Sequence, residues 1–494
     1  MSNDQVNAMV NDVIAEHRTI EQSETRNVDG LAYLHLIRWL LYVLAVVSFA
    51  WPVYRAFLNI EIENNEGWNA YFADAAMGKM PLYPSAAQLI TNNYPPLSFY
   101  IVGLAGRLIR DPVLAGRLFS LVGTGAAAAA IALSVRRLSG TKAAAIISAS
   151  FYVATMSRFF MPYVGMNEPQ LLGEAIMAFG FLGFLVARSR DRGYVGPVVV
   201  MALTGFVKHN IIAMPLTALT WLGLNRRREF GKCVWAAAGV IVTGTAICYA
   251  LFGRAFFFNM LSPRHYSVKG SLHSYQDLQW ISVGLLACAF NGWASWRHPN
   301  VRLCSCFITI ALASFFLQKT GDGVDLNAQF DLVIAVSIGL GLAYTQVPLW
   351  PLARRFSPAR AQTILLLAIC ARLLVSKQFQ PVRVVADPRF RDEIATRQRV
   401  MAEEVERVRR MPGEVLCPLL VSYRAGKPFV VDTFNAEQRI SAGVLPKNAI
   451  SGRVAEGSLT IVEVDERARW GTQEKHFDFG STRDTRFSGQ SDSP

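Results

Sequence analysis

Apolar stretches about as long as a membrane-spanning helix recur along most of this chain, separated by short charged segments. A helix that crosses a bilayer core of ~30 Å needs roughly 20 mostly apolar residues. The pattern therefore predicts a polytopic α-helical membrane protein with about eleven transmembrane helices. The predicted spans lie near residues 36–57, 113–134, 142–157, 171–187, 194–207, 211–224, 233–252, 280–296, 301–317, 330–347 and 361–375.

Composition agrees with a membrane location, and the charge pattern predicts the topology. The chain is 52% hydrophobic and only 17% charged, and its net charge of +13 comes mainly from short loops. Basic loops between spans are typical of the cytoplasmic side. Short separate loops do not form a continuous groove, so we expect no nucleic-acid partner. The basic loops are residues 136–142, 188–192, 225–232, 297–302 and 354–360.

The remaining loops then lie outside, and the largest is the first outer loop, residues 58–112. Its segment 94–110 is apolar, but as a helix it is shorter than the ~30 Å bilayer core. If it crossed, every later basic loop would change sides, so we expect an interfacial helix with Pro96 in its first turn. The predicted organisation is a cytoplasmic tail (1–30), a transmembrane domain (31–375), a periplasmic α/β domain (376–475) and a disordered tail (476–494).

The first outer loop contains an amphipathic stretch, "NNEGWNAYFADAAMGKMPLY" (64–83). Trp68, Tyr71 and Phe72 begin an apolar face with helical spacing. We expect this helix to lie on the outer surface of the bundle with Glu66, in its first turn, facing water. The helix dipole favours a charged carboxylate there. The alternative is a plain helix cap.

Several motifs of this region, taken together, resemble one known family. The motifs are Asn65-Glu66-Gly67, "GKMPLY" (78–83), "YPPL" (94–97) and "DPVLAGRLFSLV" (111–122). In this order they are similar to the C-type glycosyltransferase superfamily (GT-C), in particular its bacterial branch of aminoarabinose transferases and protein O-mannosyltransferases. The resemblance implies a GT-C fold in the bacterial inner membrane, with amphipathic juxtamembrane helices in the first outer loop. It also implies transfer of a sugar from a polyprenyl-phosphate donor to a lipid, glycan or protein acceptor at the outer face.

The resemblance further implies which carboxylates are catalytic. Asn65 stands where the family usually has its first acid and cannot ionise, so Glu66 becomes the expected general base of an inverting displacement. Glu168, which precedes Pro169 as in the family, is the second candidate. The alternative for Glu168 is a cap before a helix that starts with proline.

Polar side chains of the outer loops are the candidates for substrate binding. Arg117 and Lys208 match cations common in the family and are the expected ligands of the donor phosphate, since such pairs strengthen where water is scarce. Snorkelling to the interface is the alternative for both. A divalent metal remains open as a cofactor, although His265 and His273 lack further ligands at regular spacing. The full substrate-binding set is Asn65, Tyr94, Arg117, Arg158, Lys208, His209, His265, Lys269, Asp325 and Asn327.

Two other functions fit the same chain less well. A transporter or flippase of lipid-linked glycans would also present polar groups to lipid head groups, but such proteins tend to contain internal repeats, and none is visible here. A glycolipid-binding homologue without activity is favoured by Asn65, because it removes one acid from the expected pair.

Overall fold

The computed structural model describes residues 31–375 and 379–470. The predicted cytoplasmic tail and the predicted disordered tail lie outside the described residues. The first part of the chain is almost entirely helical. Its helices are α1 (Leu31–Ala56), α2 (Asn65–Ala76), α3 (Leu97–Ile109), α4 (Pro112–Ser139), α5 (Lys142–Phe159), α6 (Gln170–Arg190), α7 (Val195–Thr204), α8 (Ala213–Asn225), α9 (Arg227–Phe252), α10 (Arg254–Met260), α11 (Val268–His273), α12 (Ser282–Ala294), α13 (Pro299–Gln318), α14 (Phe330–Gln346) and α15 (Pro358–Val375).

Seven helical segments of the described residues are long and apolar enough to cross a membrane. They are α1, α4, α6, α9, α13, α15 and the segment Leu326–Leu349, which contains α14. The predicted polytopic α-helical membrane fold is therefore confirmed, whereas the number of eleven spans stays a prediction. Helix α14 is the centre of the bundle and is buried over nearly its whole length, while α9 has few buried residues.

Helix α4 begins and ends at residues that suit a helix boundary. The Asp111 side chain accepts hydrogen bonds from the backbone N–H groups of Val113 and Leu114, and Pro112 occupies the first turn. Such a cap satisfies donors that the helix itself leaves unpaired. Gly140 ends the helix with φ at +73°, a conformation that glycine adopts without strain.

The loops gather at two ends of the bundle. At one end, the basic loops contact each other: Arg226 pairs with Asp191 at 2.8 Å, and Arg188 donates to Asn300. At the other end, the segments around Glu66, Asn167 and Lys208 come together, as the next subsection describes. Both flanks of α3 lie at this second end, because the Leu97 N–H donates to the Phe206 carbonyl, close to Lys208, and Asp111 caps the start of α4, which carries Arg117.

The C-terminal residues form a small unit of helices and two short parallel strands. Strand β1 (Glu414–Leu416) pairs with β2 (Leu459–Ile461). The elements resemble those expected from the sequence, but the domain boundaries and the compartment stay predictions. The helices of the unit are α16 (Gln380–Ala386), α17 (Pro388–Arg410), α18 (Leu419–Arg424), α19 (Thr433–Ser441) and α20 (Ser451–Ala455).

This C-terminal unit covers α2, so α2 does not lie on an open surface. A Cβ at Gly67 would lie 2.2 Å from the backbone of Leu419, which means that α18 packs directly on the α2 backbone. Trp68 Nε1 donates to Asp432 at 3.0 Å, and the Tyr71 hydroxyl donates to the Lys427 carbonyl at 2.8 Å. Helix α2 is therefore buried between the bundle and the C-terminal unit.

Candidate active site

Glu66 lies in the first turn of α2 and is fully buried. Arg117 on α4 binds both carboxylate oxygens, with Nε 2.7 Å from Oε1 and Nη2 2.7 Å from Oε2. The backbone N–H groups of Ile62 and Asn167 donate to the same carboxylate over 2.8 and 3.0 Å. The expectation that Glu66 faces water is therefore wrong, because the C-terminal unit covers its helix.

Arg117 uses all five of its N–H donors on protein acceptors. Besides the bonds to Glu66, Nη1 donates to the carbonyls of Ala56 and Leu58, and Nη2 donates to the carbonyl of Ile60. The guanidinium thus joins the end of α1 and the loop after it to α4. No donor is left for a phosphate, and this argues against the predicted role of Arg117 as a donor-phosphate ligand.

Asn167 links this ion pair to the second outer loop. Its side-chain Nδ2 donates to the Glu66 carbonyl at 3.2 Å, and its own carbonyl accepts from Asn69 Nδ2 at 2.9 Å. The contact depends on Gly116, where a Cβ would lie only 1.7 Å from Asn167 Oδ1. The glycine before Arg117 is therefore needed for this close approach.

A second buried ion pair lies next to the first, joining Glu168 to Lys208 in the turn between α7 and α8. Lys208 Nζ lies 2.5 Å from Glu168 Oε1, and the two residues are 2% and 5% exposed. Glu168 Oε2 accepts from the backbone N–H of Gln170, so it also caps α6. Burial alone lowers the pKa of Lys208, but Glu168 and Tyr94 together more than offset this and raise it. Lys208 Nζ also lies 3.4 Å from the centre of the Tyr94 ring, a cation–π contact.

A third group of side chains lies beside these pairs and is more open to solvent. The Tyr163 hydroxyl donates to Asp325 Oδ2 at 3.1 Å, and Asp325 is exposed. Half-buried Glu63 accepts one hydrogen bond, from the backbone N–H of Asn65 at 2.7 Å. Burial of Tyr163, followed by the charges of Asp325, Glu63 and Glu168, raises the pKa of its hydroxyl.

The carboxyl of Glu63 has an unusual protonation equilibrium. Burial raises its pKa to about 7, against the opposing hydrogen bond from Asn65, and the charges of Glu61, Asp325 and Glu66 act in the same direction as burial. In the described part of the chain, neither Glu63 nor Asp325 forms an ion pair with Lys, Arg or His. These two acids therefore differ from Glu66 and Glu168, which are both neutralised by cations.

Three other predicted substrate-binding residues are close in sequence to the residues just described. Asn65 is exposed at the start of α2, and His209 is exposed directly after Lys208. Asn327 lies in the short turn that follows Asp325.

Three further predicted residues lie apart from the paired groups. His265 pairs with Asp322 at 3.4 Å, and Lys269 is exposed on α11. Arg158 lines a separate cavity of about 250 Å³ together with Trp51 and Phe379.

No cluster of three or more His, Cys, Asp or Glu with metal-binding geometry occurs among residues 31–375 and 379–470. His273 accordingly lies away from such a group, with Nδ1 bonded to the Lys269 carbonyl.

The comparisons with known proteins agree with this architecture. A sequence model described as dolichyl-phosphate-mannose-protein mannosyltransferase matches residues 93–252, which is less than half of the chain. The crystal structure of ArnT from Cupriavidus metallidurans in the apo state superposes with a TM-score of 0.54 at 12% identity, covering 81% of this chain and 86% of ArnT. The chain has the GT-C fold. No curated protein sequence matches it.

A second ArnT structure, bound to undecaprenyl phosphate, shares the GT-C fold with this chain at a TM-score of 0.53 and 11% identity. The match covers 82% of this chain and 87% of that one. The fold and the membrane architecture implied by the sequence motifs are thereby confirmed.

Three residues of this GT-C site were not predicted from the sequence. Glu63 lies in the first outer loop just before the stretch 64–83, and Tyr163 lies in the loop before Glu168, but neither matches a motif that would mark it. Arg264 is half-buried, and its positive charge and that of Lys208 both interact electrostatically with His209. Among the described residues its guanidinium makes a cation–π contact with Phe434 but no hydrogen bond or ion pair. Its position in a basic, aromatic loop is the one signal that could have identified it.

Proposed function

We propose that this protein is a glycosyltransferase that moves a sugar from a polyprenyl-phosphate donor to an acceptor at the outer face of the bacterial cytoplasmic membrane. One observation carries the proposal: polar and charged side chains from five separate loops meet at one end of a GT-C bundle. The match to a mannosyltransferase family over residues 93–252 supports the same reaction class. The ArnT structure with undecaprenyl phosphate supports a lipid-phosphate donor.

The donor phosphate binds at the side of the site that carries Lys208 and Arg264. Lys208 is fixed by Glu168 and Tyr94. Among the described residues, Arg264 forms no ion pair and interacts with the Asp432 carboxylate only at longer range. A phosphate between them would complete a charge-assisted contact in a poorly hydrated place, where such contacts are strong. Arg117 contributes indirectly by holding the first loop in position.

The reaction is an inverting displacement. An acceptor oxygen attacks the anomeric carbon and forms the new glycosidic bond, while the bond from that carbon to the phosphate oxygen breaks. The electron pair leaves with the polyprenyl phosphate, and the acceptor proton passes to a carboxylate of the first loop. One base is sufficient, because phosphate is a good leaving group.

Transfer from purified undecaprenyl-phosphate mannose and undecaprenyl-phosphate aminoarabinose tests this proposal. The protein in liposomes is mixed with extracted envelope lipids, glycans or proteins, and labelled product and released undecaprenyl phosphate are measured. We expect transfer from at least one donor, with inverted anomeric configuration by NMR. Lys208→Met and Arg264→Met should raise the donor KM, while Lys232→Met, an exposed control at the opposite end, should behave as wild type.

The alternatives give different results in the same assay. Donor that changes leaflet without losing its sugar would support a flippase. Donor that binds but is neither transferred nor moved, with every acceptor extract, would support an inactive glycolipid-binding homologue and overturn the proposal.

A further inference from the structure

The two acids that the family resemblance favours as catalytic are both engaged by protein cations. Glu66 accepts four hydrogen bonds and is fully buried, and Glu168 is divided between Lys208 and the α6 cap. A general base needs a lone pair within hydrogen-bond reach of the proton that it removes. Glu66 has all its lone-pair positions occupied, and Glu168 is only 5% exposed, so neither carboxylate is accessible to a substrate proton in this arrangement.

Glu63 has the free and accessible carboxylate oxygen that Glu66 and Glu168 lack. It lies two residues before Asn65, on the loop that leads into α2, and it is half-buried rather than enclosed. Its Oε2 accepts the Asn65 N–H, and its Oε1 makes no hydrogen bond within the described residues. One oxygen is therefore free to accept a proton from a substrate.

We propose that Glu63 is the general base of the transfer reaction and that the acceptor nucleophile is a neutral hydroxyl held between Glu63, Asp325 and Tyr163. This inference rests on the proposed function. The acceptor O–H proton passes to the free oxygen of Glu63 as the oxygen bonds to the anomeric carbon, and polyprenyl phosphate leaves with the electron pair of the broken bond.

The charge around Glu63 supports both parts of the proposal. Asp325, from the loop before α14, is the unpaired acid whose negative charge acts on Glu63, whereas Glu61 and Glu66 are paired with Arg469 and Arg117. Tyr163, from the turn after α5, donates to Asp325 and interacts electrostatically with Glu63. Like charges and burial favour the neutral form of a carboxyl, which suits a base that works near neutral pH. The negative charge of Asp325 repels an anionic acceptor, whereas a hydroxyl can donate to Glu63 or Asp325.

The test compares wild-type protein with Glu63→Gln, using the donor that the wild type accepts. We expect kcat to fall by about 10²–10⁴-fold, the usual contribution of a general base, with the donor KM and the thermal unfolding temperature nearly unchanged. Wild-type activity should rise with pH around 7, and this rise should be absent in the variant. Glu456→Gln, an exposed acid of the C-terminal unit, is the matched control and should retain full activity.

A second variant tests the role of the neighbouring asparagine. In Glu63→Gln/Asn65→Asp, a carboxylate returns to the position of the family acid, and we expect recovery of at least part of the lost kcat. An acceptor panel completes the test: alkyl glycosides with free hydroxyls should be glycosylated, and the matching phosphate monoesters should not.

The outcomes separate this inference from the proposed function. Wild-type transfer together with full activity of Glu63→Gln would overturn the base assignment alone, and preferred transfer to the phosphate monoesters would overturn the acceptor class. A Glu66→Gln variant that loses activity at unchanged stability would return the base role to Glu66. No transfer by the wild type from either donor would overturn both proposals.

Discussion

The two buried ion pairs and the open acidic group beside them use the same residue types in opposite ways. Glu66 and Glu168 are enclosed and matched by Arg117 and Lys208. A buried charge is tolerable only when paired and hydrogen-bonded, so such pairs position the loops. Glu63 lies three residues before Glu66, and Asp325 lies in the loop before α14. In the described part of the chain, neither of these acids pairs with a cation. The comparison teaches that the carboxylates of one site divide between those that hold the structure and those that remain available for chemistry.

Arg117→Met should give the largest loss of stability. It leaves the Glu66 carboxylate buried without its cation, and breaking such a pair costs about 3–5 kcal/mol. Thermal unfolding in detergent measures the effect. Arg410→Met, which breaks an exposed pair with Glu406 on α17, is the control and should change stability by less than about 1 kcal/mol. Equal effects of the two variants would remove the distinction between buried and exposed pairs.

The Glu168–Lys208 pair should show strong coupling in a double-mutant cycle. Lys208→Met and Glu168→Gln each leave one polar group buried without its partner, whereas the double variant removes both charges. We expect a coupling free energy of about 0.5–3 kcal/mol, the range for residues in contact. Additive losses would mean that the two side chains do not interact as the 2.5 Å contact indicates.

Trp68→Phe should weaken the contact between α2 and the C-terminal unit. It removes the hydrogen bond from Nε1 to Asp432 but keeps an aromatic ring beside Phe72. The expected loss is about 0.5–1.5 kcal/mol, with a further cost for leaving Asp432 less satisfied. Limited proteolysis of the C-terminal unit is the second measurement. Unchanged stability and unchanged protection would indicate that the unit contributes nothing to holding α2.

Asp325→Asn should have the smallest effect on stability and a visible effect on pH dependence. Asp325 is exposed, so the free energy of unfolding should change by less than about 0.5 kcal/mol. Its negative charge raises the pKa of Glu63, so its removal lowers that pKa and the rise of activity moves to lower pH. A pH–rate profile of kcat measures the shift. A profile that does not move, or that moves to higher pH, would contradict the proposed proximity of the two acids.

Periodicity and charge determined much of this protein from the sequence alone. The apolar stretches and the basic loops indicated a polytopic bundle, and the short segment 94–110 was correctly expected as a helix, α3. Such features are local, because span length and loop charge depend only on neighbouring residues. The motifs of the first loop also indicated the GT-C fold, since they occur in a characteristic order along the chain.

The roles of individual acids depended on contacts that no local pattern contains. Glu66 looks like an accessible first-turn acid, but α4 brings Arg117 to it from 51 residues away, and α18 covers its helix from more than 350 residues away. Glu63 carries no motif, and its environment arises only when Asp325 and Tyr163 come beside it. The sequence by itself determined the membrane helices, because these follow from burial in lipid, and its first-loop motifs indicated the fold. Only the tertiary structure decided which carboxylates are paired and which are free, because charge compensation depends on distances between segments far apart in the chain.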